Sequence, residues 1–71
     1  MMRVLAVDPN SEGKSGCDRL FDAGDEVLIQ LRPASAADHH DIAPNYVPEG
    51  EMLGRLSKAV LLDAARALGL R

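Results

Sequence analysis

A chain of 71 residues with a net charge of −3 has room for one domain, and a core of that size supplies only about 3–5 kcal/mol unaided. Its single cysteine, Cys17, excludes an internal disulfide framework, and its two aromatics, Phe21 and Tyr46, leave an aliphatic core and little on which bases could stack. The eight Lys and Arg are scattered and outnumbered by eleven Asp and Glu, which argues against direct binding of a nucleic-acid duplex.

Residues 3–8, Arg-Val-Leu-Ala-Val-Asp, read as a first strand that is aliphatic on both faces, as a central or well-covered strand would be. No apolar run approaches the roughly 20 residues of a membrane span. The N-terminal stretch is also too short for a signal peptide, being broken by Asp8. A lone thiol fits a reducing compartment, so a cytoplasmic protein is expected. A polar loop follows over residues 9–16. Its Gly13-Lys14-Ser15 has the look of a phosphate-binding loop, but Asp8 stands where the leading glycine belongs and a strand, not a helix, is expected next.

Residues 17–21 and 26–32 form an expected hairpin, with Gly24 supplying the positive φ of a tight turn with a bulge. In the second of these strands Val27, Ile29 and Leu31 alternate with Glu26, Gln30 and Arg32, the period of a half-buried strand, Leu28 being the exception. Residues 33–50 hold three of the four prolines and little periodicity, and read as a long Pro-rich connection, with Ile42 and Tyr46 or Val47 pinning it to the core.

A fourth strand is expected over residues 51–56, because Gly50 and Gly54 would each cost a helix about 1 kcal/mol; a single helix from about residue 49 is the alternative. The final helix is expected from Lys58 to Leu68, capped by Ser57. Val60, Leu61, Ala64 and Leu68 share its inner face, Asp63 and Arg66 point outward, and Gly69 stands at the left-handed C-terminal cap with Leu70 packing back. The fold class expected is α+β: a small antiparallel sheet of three or four strands with one C-terminal helix.

Candidate chemistry is sparse. His39 and His40, flanked by Asp38 and Asp41, concentrate potential metal ligands, but adjacent histidines do not converge and no second ligand cluster exists, so a solvated loop is the plainer reading. Cys17 as a nucleophile would need a base or positive field, and a small buried hydrophobe is the commoner fate. The carboxylates Asp18, Asp22, Asp25 and Glu26 read as solvated hairpin charges that discourage edge-to-edge pairing. Neither a cofactor nor catalytic residues are expected. Apolar side chains left over from a small core, Leu53, Leu56 and Leu62, are the candidate partner-binding residues, for a protein partner or a homodimer.

Three segments together carry a family resemblance: the strand from Met2 through Asp8-Pro9-Asn10-Ser11 into Gly13-Lys14-Ser15-Gly16-Cys17; Cys17-Asp18-Arg19-Leu20-Phe21 with Asp25-Glu26-Val27-Leu28-Ile29-Gln30; and Val47-Pro48-Glu49-Gly50-Glu51 with the stretch Leu56 to Ala65. Over residues 2–31 and 47–68 the chain resembles small actinobacterial accessory proteins encoded beside helix-turn-helix regulators. Its Asp/His-rich middle loop and its lack of aromatic-rich strand ends depart from that group. The resemblance implies a non-enzymatic accessory protein that binds and modulates a cognate transcription regulator, as an antitoxin-like or antagonist partner. An acidic chain meeting a basic DNA-binding partner is electrostatically sensible. The alternatives are an AbrB-like DNA-binding antitoxin dimer, suggested by Gly24-Asp25-Glu26-Val27, and a small metal-binding domain built on Cys17, His39 and His40.

Overall fold

A computed structural model of the chain describes residues 2–9 and 18–70. The fold is α+β: a three-stranded antiparallel sheet in the order β1-β2-β3, a separate two-stranded sheet β4-β5, and a C-terminal helix. The elements are β1 (Arg3–Val7), β2 (Arg19–Asp22), β3 (Val27–Gln30), β4 (Arg32–Pro33), α1 (Ala36–Asp41), β5 (Gly54–Arg55) and α2 (Lys58–Leu68).

The hairpin β2–β3 forms where the alternation and Gly24 place it. Gly24 has φ +87°, its N–H donates to Asp22 Oδ1 at 3.0 Å, and the Ala23 N–H donates to the Glu26 carbonyl at 3.0 Å, closing the turn. The β2–β3 register is regular, so the bulge expected at this turn is absent. A bulge lies instead in β1, where the pairing with β2 shifts between Val4 and Ala6. The extra residue, Leu5, is buried beside Ala6 rather than turned to the opposite face.

The register sorts the sheet into two faces. Ala6, Leu20 and Ile29 lie side by side on one face, and Val4, Phe21 and Leu28 on the other. α2 lies on the first face, against β1 and β2. Leu5, Ala6 and Leu20 from the sheet and Val60 and Ala64 from the helix make the core, with half-buried Leu56 packed against it.

Three expectations are corrected here. β1 is an edge strand, and Val4 and Val7 are exposed; its aliphatic character is not matched by cover on both faces. β3 is not half-buried: all four of its residues are exposed, because α2 reaches across β1 and β2 only. In α2, Val60 and Ala64 are buried as the spacing predicts, but Leu61 is 57% exposed and Leu68 lies outside the core. The helix has a narrower buried stripe than its leucines suggest.

α2 spans the predicted residues because Ala, Leu, Arg and Lys dominate it. Gly69 ends it in the left-handed conformation, φ 73°, with its N–H bonded to the Arg66 carbonyl and the Leu70 N–H to the Ala65 carbonyl. A Cβ at Gly69 meets no atom within 4 Å, so only the backbone conformation opposes substitution. Gly69→Ala is therefore expected to cost about 1 kcal/mol, read as a fall of about 4–8 °C in the thermal midpoint. Ser57 is the N-cap residue, yet its side chain makes no capping bond; its own N–H donates to the Asp18 carboxylate.

The connection over residues 33–50 is more ordered than its prolines imply. It contains β4's Pro33 and the six-residue helix α1, held by a reciprocal capping box in which Ser35 Oγ accepts from the Asp38 N–H and Asp38 accepts from the Ser35 N–H. Ile42 and Val47 are half-buried, whereas Tyr46 is exposed and pins nothing. The fourth strand expected over residues 51–56 shrinks to the pair Gly54–Arg55, which joins β4 rather than the main sheet. A Cβ on Gly54 would overlap Leu31 Cδ1 and approach the Arg32 carbonyl oxygen to 3.0 Å, so glycine here serves a close approach between strands.

Candidate functional site

One buried carboxylate ties several elements of this architecture together. Asp18 is only 1% exposed. Its backbone carbonyl accepts from the Asp8 N–H at 2.9 Å, extending the β1–β2 ladder. Its side chain receives a two-pronged bond from Arg32, Nε at 3.2 Å and a terminal nitrogen at 3.1 Å, and the Ser57 N–H at 2.7 Å. The carboxylate thus ties the start of β2 to β4 and to the N-terminus of α2, where it accepts from the N–H of the N-cap residue. An anion at that helix end is also favoured by the macrodipole. Burial raises the Asp18 pKa, but the Arg32 hydrogen bond, the Ser57 N–H and the Arg32 charge outweigh it and hold the carboxyl below its ordinary range. The expected role of Asp18 as a solvated hairpin charge is corrected accordingly.

A second fork fixes the middle segment. Arg55 on β5 donates to both carboxylate oxygens of Asp38 on α1, Nε at 2.8 Å. The Arg55 hydrogen bond first, then the Ser35 N–H, push the Asp38 pKa down, and Asp38 raises that of Arg55. The shallow cleft between α1 and β5, about 290 Å³, is lined by this pair together with Ala34, Asp41, Ile42 and Leu53.

With those ties in place, β3 stands at the edge of the main sheet with apolar groups on both faces. Val27 and Ile29 lie on the α2 side beyond the reach of the helix, and Leu28 continues the open row Val4–Phe21 on the other side. The bond from Ala23 to the Glu26 carbonyl sets the alternation of the ladder: Leu28 and Gln30 exchange bonds with β2, and the backbone polar groups of Val27 and Ile29 point to the open edge. Leu68 and Leu70, at the end of α2 and after its cap, line one groove with Val27 of β3, and Leu61 and Leu62 are also exposed on α2. Apolar side chains that adjoin one another at an open sheet edge, as Val27, Leu28 and Ile29 do, are a mark of a contact surface.

The residues singled out from sequence separate on this structure. Leu62 is exposed, whereas Leu53 and Leu56 are half-buried, Leu56 against the core. His39 and His40 occupy adjacent exposed positions on α1. Among the described residues, no three His, Cys, Asp or Glu side chains are grouped to hold a metal ion. Cys17 and the Gly13-Lys14-Ser15 segment lie outside the described residues. Sequence reasoning misses the exposed β3 edge because strand alternation reports a face that can be covered, not whether any element covers it. Among the described residues no helix is long and apolar enough to cross a membrane. Comparison with protein-family models, curated proteins and solved structures finds no match.

Proposed function

We propose that this is a non-enzymatic protein-interaction module of the cytoplasm that binds and modulates a transcription regulator. The observation that carries the reading is β3, a sheet-edge strand with Val27, Leu28 and Ile29 between 37% and 50% exposed and its outer backbone groups unpaired by β2. Such an edge recruits a partner strand through main-chain bonds, with alternate side chains supplying specificity. The acidic balance of the chain, −3, complements a basic DNA-binding protein and not DNA itself.

The test uses purified helix-turn-helix regulators encoded beside this gene, passed over the immobilised protein. Retention of one of them, with altered retardation of its operator DNA when the protein is added, is the expected result. Ile29→Lys, which changes a half-exposed side chain outside the core, is expected to weaken retention about tenfold or more while shifting stability by no more than about 1 kcal/mol. Failure of every such regulator to be retained would overturn the reading. Direct retardation of DNA by this protein alone, weakening steeply with salt, would replace it with a DNA-binding one.

A further inference from the structure

We infer that the partner inserts a cationic, apolar-faced segment into the groove between the β2–β3 turn and the C-terminal end of α2. This rests on the interaction reading above and names the chemistry of the segment it would take. The groove encloses about 470 Å³ and is lined by Asp22, Gly24, Asp25, Glu26, Val27, Leu68 and Leu70. Its floor is apolar: Val27 comes from β3, on the face that α2 leaves uncovered, and Leu68 and Leu70 from the last helical turn and the residue after the cap, all three exposed. Its rim is acidic. Asp22 is engaged at 3.7 Å by Arg3. Asp25 and Glu26 have no side-chain ion pair among the described residues, and both are exposed.

Two features of the backbone reinforce that sign. α2 points its C-terminal, partially negative end at the groove. The turn at Gly24 presents no Cβ, which leaves the wall beside the carboxylates open to an approaching side chain. A leucine-like anchor on the floor with Lys or Arg reaching the rim satisfies both parts. A second copy of this chain suits the groove less well, since it would bring a net charge of −3 to a negative rim.

The probe is a synthetic amphipathic peptide of Leu and Lys, about three helical turns long, labelled for fluorescence anisotropy. A peptide with Glu in place of Lys serves as the comparison. The expected result is saturable binding of the Lys peptide only, weakening about tenfold or more between roughly 0.05 M and 0.3 M salt. The double variant Asp25→Asn/Glu26→Gln should lose about tenfold in affinity, as should Leu70→Ser. Glu49→Gln/Glu51→Gln, which removes the same charge from an exposed segment outside the groove, should bind like the parent. Equal affinities of the two charge-neutralised variants would overturn the inference, as would absence of saturable binding. A dimer in light scattering that Leu70→Ser dissociates would assign the groove to a second copy and overturn it as well. If a regulator is retained equally by the parent and by Asp25→Asn/Glu26→Gln, the groove inference fails while the interaction reading stands. If the Lys peptide binds in the groove and no regulator is retained, the reverse holds.

Discussion

Arg32→Ala is expected to leave the domain largely unfolded at neutral pH and to reverse the direction in which acid acts on its stability. Asp18 is 1% exposed whereas the Arg32 side chain is 55% exposed, so the damage depends on which partner is left behind. Removing the guanidinium strands a buried carboxylate with only the Ser57 N–H, a change of about 3–5 kcal/mol for buried pairs. That matches the whole stability expected of a core this small, about 3–5 kcal/mol. Asp18→Asn leaves Arg32 free to turn to solvent and keeps an oxygen for Ser57, so its cost is expected to be smaller, about 1–3 kcal/mol.

The pH response separates the two variants further. In the parent protein the folded-state pKa of Asp18 is depressed. Its contribution is therefore fully present above the unfolded value of about 3.9 and is lost as pH falls through the lower folded value. Asp38 acts in the same direction. In Arg32→Ala the largest influence left on Asp18 is burial, which raises its pKa above the unfolded value, so stability contributed by this group increases as pH falls toward about 4. Urea denaturation of the parent at a series of pH values between about 2 and 7 reads its loss, and recovery of folded signal by the variant as pH is lowered from neutral toward about 4 reads the reversal. A variant that loses stability on acidification as the parent does would show that Arg32 is not the counter-charge of Asp18.

Leu20→Ala is the second large effect. Leu20 is 4% exposed, lies between Ala6 and Ile29 on the covered face of the central strand, and belongs to the core with Val60 and Ala64. Truncation there removes transfer free energy and opens a cavity, about 2–5 kcal/mol together. For a domain of this size each kcal/mol lowers the thermal midpoint by about 4–8 °C, so the expected outcome is a loss of cooperative melting or a midpoint lower by about 10 °C or more. Leu28→Ala, one strand away on the open face and 50% exposed, is expected to cost less than about 1 kcal/mol. Calorimetric scans of the two variants test the assignment of the faces. Equal losses would mean that the sheet buries its other side as well.

Short-range signals account for the parts of the fold that are legible in the sequence. The hairpin turn at Gly24 and the helix from Lys58 to Leu68 with its Gly69 cap depend on a glycine at positive φ and on residues a few positions apart. The capping box that starts α1 is equally local: Ser35 followed three residues later by Asp38 is a readable N-terminus signal. The surrounding prolines mask it by suggesting an irregular connection. Gly54 reads correctly as a poor helix residue, but its contact with Leu31 comes from the residue between β3 and β4, more than 20 positions away.

The local chemistry of the chain thus settles where it turns, where its last helix begins and ends, and that its core is small and aliphatic. Packing settles the rest. α2 is wide enough to cover two strands and not three, so Val27, Leu28 and Ile29 stay exposed despite reading as core. Asp18 becomes the buried tie between β2, β4 and α2 because Arg32 and Ser57, 14 and 39 residues away, arrive at the same point. No pattern along the chain records such meetings. They depend on the angle at which the helix crosses the sheet and on the charges that crossing brings together.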